Sequence, residues 1–292
     1  MAAPSSDRPY LWMLAGAASF AVMSTLVSVA GERCDWQLIA VVRTFLAMVF
    51  SAGLALSAGA RLVFFRPPVL WMRSLAGTMA LLTGFYSLTR LATTEVLTLT
   101  NMFPLWVAVL SWPVLGRRPE KSLWAAVACG LVGVVLMQQP RLAIGDYTWL
   151  IALGSSLFSA VALLGLHQLG ELDSRAIVAH FSGVSLLGCL ASAWLFPRTS
   201  TWEVFDLPLA GLLLAVGITA TLGQLLLTKA FTSGEPGKVS VVGLSQVGFS
   251  MIIELAFRER RYNVLSLIGI VLVLLPTAWV MLRERRRGSE ST

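Results

Sequence analysis

Apolar residues run through this chain in ten blocks, each closed by a short polar or charged joint. The blocks cover residues 10–30, 36–58, 69–91, 94–115, 122–138, 147–168, 176–196, 207–230, 237–257 and 263–282. At 1.5 Å per residue, about twenty apolar residues in a helix cross the ~30 Å hydrocarbon layer of a bilayer. The pattern therefore predicts an all-α integral membrane protein with ten transmembrane helices. Most joints are shorter than ten residues, so neighbouring helices run antiparallel.

Composition agrees and adds a direction. Charged residues make up 13% of the chain and hydrophobic ones 57%, with a mean hydropathy of +0.77. A globular domain carries about 25% charged residues, so a water-facing surface is excluded for most of the chain. With both termini on one side, fourteen of the 22 basic residues fall on that side, among them Arg73, and seven on the other. An excess of basic residues marks the cytoplasmic face. The expectation is a multi-pass protein of the cell inner membrane with both termini cytoplasmic. Arg258, Arg260 and Arg261 run against that bias. The run at 283–287 directly follows the last block, and we read it as an anchor to lipid headgroups rather than a nucleic-acid patch. Cys34, Cys129 and Cys189 form neither a disulfide framework nor a metal spacing.

The polar joint at 140–146 divides the blocks into five and five. Leu88-Thr89-Arg90 near the end of the third block matches Leu227-Thr228-Lys229 near the end of the eighth, at an offset of 139 residues. The same offset places Gly130 over Gly269. Two repeats are expected, 1–139 and 140–292. An odd number of helices in each makes the second enter the membrane from the opposite face. Inverted repeats of this kind place a binding site near mid-membrane, between the halves.

Several motifs of the first half occur together. They are Phe85-Tyr86-Ser87-Leu88, Arg90-Leu91-Ala92-Thr93-Thr94, Pro104-Leu105-Trp106, Leu115-Gly116-Arg117-Arg118-Pro119 and Gly130-Leu131-Val132-Gly133. With Arg43-Thr44-Phe45-Leu46-Ala47 and Arg73-Ser74-Leu75-Ala76-Gly77, this run resembles the EamA-type domain of the drug/metabolite transporter superfamily. The resemblance implies two inverted five-helix repeats and transport of small metabolites such as amino acids. Two positions depart from the family pattern: Arg117 stands where the family often has Glu, and no proline in the second half matches Pro104.

Polar groups inside the blocks are the candidate chemistry, because each is costly in lipid. Ser24, Tyr86, Thr98, Asn101, Trp106, Gln224 and Gln246 are the expected substrate-binding residues, with aromatics Phe20, Phe85 and Phe103 beside them. Pro104, three residues after Asn101, is expected to bend the fourth helix there. Arg43 and Glu254 lie within spans and are the candidate gate or coupling pair; the competing reading pairs Glu254 with Arg258 and makes Arg43 a strut. Arg90 with Glu95 and Lys229 with Glu235 are expected to pair across their joints. Gly130 and Gly133, with Gly269, predict one close helix contact, a candidate homodimer seam.

The expected function is secondary active transport of a small amphipathic solute, such as an amino acid, by alternating access. Expected partners are that solute and membrane lipids, with no nucleic acid. No cofactor and no metal are expected. A membrane-embedded transferase would need an acid–base or nucleophile cluster, and an ion channel a charged ring or filter. The sequence offers neither, and no phosphate-binding loop.

Overall fold

The computed structural model describes residues 8–88, 90–91, 93–116, 118–139, 148–195, 206–257 and 263–290. All regular structure among them is α-helical. In order the helices are α1 (Arg8–Ala30), α2 (Trp36–Ser57), α3 (Pro68–Leu88), α4 (Thr93–Thr100), α5 (Phe103–Leu115) and α6 (Lys121–Gln138). There follow α7 (Thr148–His167), α8 (Ser174–Leu195), α9 (Leu207–Ser233), α10 (Pro236–Gly243), α11 (Ser245–Phe257) and α12 (Val264–Glu290). Eight segments are long and apolar enough to cross a bilayer, counting 96–115 and 236–256 as one each. Helix α3, at 21 residues, falls outside that set, and Lys121–Met137 is apolar but shorter.

Two of the apolar blocks are interrupted. Block 94–115 becomes α4 and α5, broken at Asn101 and Met102. Pro104 is the cause, having no N–H to give and a ring that excludes the carbonyl one turn back. Asn101 closes α4 by donating both its backbone N–H (3.1 Å) and its side-chain Nδ2 (2.7 Å) to the carbonyl of Leu97. Block 237–257 becomes α10 and α11, broken at Leu244 without a proline. Gly243 ends α10 in a tight place: a Cβ there would lie 3.0 Å from Met13 Cε and 3.3 Å from Phe103 Cζ. The offset of 139 carries Pro104 onto Gly243, so both interruptions fall in corresponding stretches.

Packing repeats the same correspondence. Helix α1 lies against α9 and α3 against α7, while α2 meets α8 and α6 meets α12. Likewise α1 touches α10 and α11 where α7 touches α4 and α5. Ser19 Oγ donates to the carbonyl of Thr219 (2.8 Å), tying α1 to α9. Ser155 Oγ donates to the carbonyl of Ala80 (2.7 Å), tying α7 to α3. These two acceptors are 139 residues apart. Most other hydroxyls turn back on their own helix: Thr83 donates to Met79, Thr100 to Val96 and Thr221 to Gly217. A serine or threonine in lipid can satisfy itself this way without a partner helix.

The glycine face of α6 is used within the chain. A Cβ on Gly133 would lie 2.8 Å from the carbonyl oxygen of Gly269, and one on Gly269 would lie 2.6 Å from that of Gly133. Small residues let the two backbones touch. The outer faces of the bundle are apolar, with Leu54, Leu187, Leu222 and Val271 exposed. Such a surface suits lipid and would aggregate in water.

Surface polar groups fasten the joints. Arg33, in the α1–α2 joint, donates to Asp206 Oδ2 at 2.9 Å, and Asp206 Oδ1 accepts the N–H of Leu209 (2.9 Å) as the N-cap of α9. The Arg33 hydrogen bond, followed by that of Leu209, holds the Asp206 carboxyl below its ordinary value of 3.8. A depressed carboxyl stabilises the fold above its unfolded value and loses that contribution as pH falls through the folded one. Asp206→Asn, which keeps a capping side chain, is therefore expected to lower the unfolding temperature at pH 7. The gap to wild type should close as the pH drops below 3.8 in a thermal-melt series.

One expected pair resolves differently. Glu235 pairs with Lys238 at 2.6 Å, one turn along α10, rather than with Lys229. Lys229 sits over the ring of Trp12, 5.8 Å from its centroid. Arg117, Arg258, Arg260 and Arg261 lie outside the described residues, as do the side chains of Thr94, Glu95 and 283–287.

Candidate functional site

A cavity of about 350 Å³ is lined by α1, α3, α4 and α5 from the first half and by α7, α9, α10 and α11 from the second. Helix α2 contributes Arg43 and α8 contributes Phe181. Neither α6 nor α12 reaches it, since each spends its small face on the other. Both interruptions open onto the chamber, through Thr100 and Phe103 at one and Gly243 and Gln246 at the other. Broken helices of this sort release backbone groups where a solute can use them.

The wall is mostly apolar, with Phe20, Phe85 and Phe103 providing aromatic surface. Its polar groups are few: Arg43, Arg73, Gln224, Gln246, Thr100, Ser155 and Ser159. A predominantly apolar pocket with a few placed polar groups is the usual build of a small-molecule site.

Arg73 is the most unusual member. It sits early in α3, is 3% exposed, and stacks on Phe181 with its guanidinium carbon 3.7 Å from the ring centroid. Its Nη2 reaches Gln224 Oε1 at 3.4 Å, and its Nε and Nη1 have no hydrogen-bond partner among the described residues. Gly77 makes room for this stack, as a Cβ there would lie 2.7 Å from Phe181 Cε2 and 3.1 Å from Arg73 Nη1. Nearby, His180 is fully used in structure. Its Nε2 donates to the carbonyl of Phe64 (3.1 Å), so its Nδ1 accepts from Ser74 Oγ (2.8 Å).

The match to known proteins follows the first half. Residues 7–138 match the EamA-like transporter family. The first half is similar to that family. The chain is 26% identical over 277 residues to the "Pseudopaline exporter CntI" of Pseudomonas aeruginosa, covering 92% of this chain and 94% of that one. It is also 26% identical to an "Uncharacterized transporter" of Helicobacter pylori, over 69% of each chain. The mouse "Solute carrier family 35 member G1" is 21% identical over 76% of this chain and 63% of its own. One crystal structure shares the fold with a TM-score of 0.82 at 16% identity, covering 96% of this chain and 100% of that chain. The chain is a multi-pass membrane protein, and these relatives are named as transporters and exporters, not enzymes.

Of the residues singled out in the sequence, Arg43, Gln224 and Gln246 line the chamber. Ser24, Tyr86, Thr98, Asn101 and Trp106 do not. Ser24 bonds back to the carbonyl of Phe20 (2.8 Å), and Asn101 is spent on closing α4. Trp106 Nε1 donates to Ser156 Oγ (2.9 Å), which joins α5 to α7 behind the wall. Tyr86 lies under Arg90, 5.5 Å from its guanidinium carbon, and Thr98 is buried in α4. Glu254, on α11, is also outside the lining.

Sequence reading missed Arg73, Phe181, Ser155 and Ser159. Arg73 was counted with the surface cations because it stands near the start of its block. A usable signal existed, for Arg73, Gly77, Ala80 and Gly84 recur at helical spacing. Small residues above a lone arginine make a groove for its long side chain.

Proposed function

We propose that this protein is a secondary active transporter that carries a small amphipathic metabolite, of amino-acid size, across the inner membrane by alternating access. The observation that carries the reading is a chamber bounded by two interrupted helices in corresponding stretches of the chain. In this reading α4 with α5 and α10 with α11 each form one span, giving ten spans as two inverted five-helix repeats, 1–139 and 140–292, with both termini cytoplasmic. The offset of 139, which relates the helices, their contacts and the carbonyls that accept from Ser19 and Ser155, supports that symmetry. The names of the relatives support transport rather than catalysis.

Arg43, Gln224 and Gln246 then contact the solute, while Asn101 and Trp106 hold the wall in shape. Rocking of one half against the other exposes the chamber to each face in turn. Ser159, in the chamber and bonded only to the carbonyl of Ser155 in its own helix, is a neutral place for a probe. With the native cysteines replaced, Ser159→Cys in proteoliposomes is expected to react with a membrane-impermeant thiol reagent applied from either face. Reaction from one face alone, under every solute and ion gradient applied, contradicts alternating access.

A further inference from the structure

The chamber carries two guanidinium groups, Arg43 and Arg73, and no carboxylate among its described lining. Neither arginine forms an ion pair among the described residues. Arg73 is the better placed to bind. A guanidinium has five N–H donors in a planar fork that fits an oxyanion two at a time. Here one donor nitrogen reaches Gln224, Phe181 covers one face, and two nitrogens remain buried without an acceptor. Burying a charge in this condition is costly unless something pairs with it. Because Gln224 turns its oxygen to Arg73, its NH₂ is left to donate as well. The site therefore offers donors and positive charge and lacks an anionic partner for an ammonium group.

We propose that the chamber selects organic anions: a carboxylate seats on Arg73 and Gln224, its apolar body lies along Phe20, Phe85 and Phe103, and zwitterions and amines are disfavoured. This rests on the transport reading and narrows it from amphipathic solutes to monocarboxylates. Stacking on Phe181, with room made by Gly77, sets the guanidinium in place before the solute arrives, so little ordering is required on binding.

The test compares matched probes on the purified full-length protein by thermal unfolding at fixed low ionic strength. A ligand that binds the folded state raises the midpoint by mass action. One series is 3-phenylpropanoate, phenylalanine (the same acid with an added ammonium) and phenethylamine (the same amine without its carboxylate). A second is 4-methylpentanoate, leucine and 3-methylbutylamine, and phenyl phosphate probes a phosphate source. The acids are expected to bind at least about tenfold more tightly than the matched amino acids, and the amines to give no shift. Arg73→Gln is expected to abolish the acid shift. Arg73→Lys, which keeps the charge but loses the fork, is expected to weaken it about tenfold. If Arg73→Gln does not fold, the wild-type comparison and Arg73→Lys decide. The proposal is overturned if amino acids or amines stabilise as well as the acids, if no acid gives a shift, or if phenyl phosphate alone does. Wild-type acid binding by either Arg73 variant also overturns it. Failure here leaves the Ser159→Cys result untouched, so loss of the anion assignment and loss of the transport reading are told apart.

Discussion

Leucine in place of Gly133 or Gly269 is expected to lower the unfolding temperature of the purified protein by about 5 °C. The reason is that the obstructing atoms are backbone. A Cβ on Gly133 would meet the Gly269 oxygen at 2.8 Å and the Val273 nitrogen at 2.9 Å. One on Gly269 would meet the Gly133 oxygen at 2.6 Å and the Met137 nitrogen at 2.8 Å. A side chain can rotate away from such a clash, but a helix backbone cannot, so α6 and α12 must separate. Overpacking a well-filled contact costs about 1–3 kcal/mol, and leucine at a backbone seam belongs at the top of that range. Even alanine should destabilise at either position, and the two alanines together should cost less than the sum, because the first already parts the helices. Gly154→Ala is the control. Nothing lies within 4 Å of a Cβ there, and alanine is the better helix former. Detergent-solubilised melts followed by tryptophan fluorescence read all six variants.

Tryptophan in place of Ser159 is expected to abolish solute flux while leaving the fold intact. Ser159 faces the chamber, and its hydroxyl bonds only within α7, so its replacement breaks no contact between helices. The indole would occupy much of a space of about 350 Å³ that is already small for a ligand site. A fall in proteoliposome uptake of at least about 100-fold is expected, equivalent to about 2.8 kcal/mol of lost solute binding. The unfolding temperature should stay near that of wild type. Unimpaired uptake would show that the solute does not pass through this chamber.

Much of the architecture is legible in the chain because a bilayer demands it. Apolar blocks of spanning length can only be helices, since lipid satisfies no backbone group. The blocks locate most helix ends to within a few residues. The interruption before Pro104 is legible too, because a proline inside a helix has one consequence. Its counterpart at Leu244 is not. There the break follows a glycine wedged between Met13 and Phe103, and only packing reveals it. Beside Leu88-Thr89-Arg90 and Leu227-Thr228-Lys229, a plainer match, Gly31-Glu32 with Gly170-Glu171, lies in the joints after α1 and α7 at the same offset.

The site was harder to read because polarity alone does not tell a lining group from a satisfied one. Asn101 carries the same amide as Gln224 and Trp106 an indole N–H, but Asn101 Nδ2 donates to the Leu97 carbonyl and Trp106 Nε1 to Ser156. The glutamines remain in the wall, where no helix terminus or neighbouring hydroxyl uses them up. Arg73 escaped for the opposite reason. Counting charges near helix ends treats an arginine as a surface group, whereas this one turns inward onto Phe181.

Glu32 and Glu171 give the most direct test of the inverted architecture. They are exposed, occupy equivalent joints 139 residues apart, and in two parallel repeats would face the same compartment. In a background without native cysteines, Glu32→Cys should react with an impermeant thiol reagent only from outside the cell, and Glu171→Cys only from the cytoplasm. Reaction of both from a single face would contradict the account.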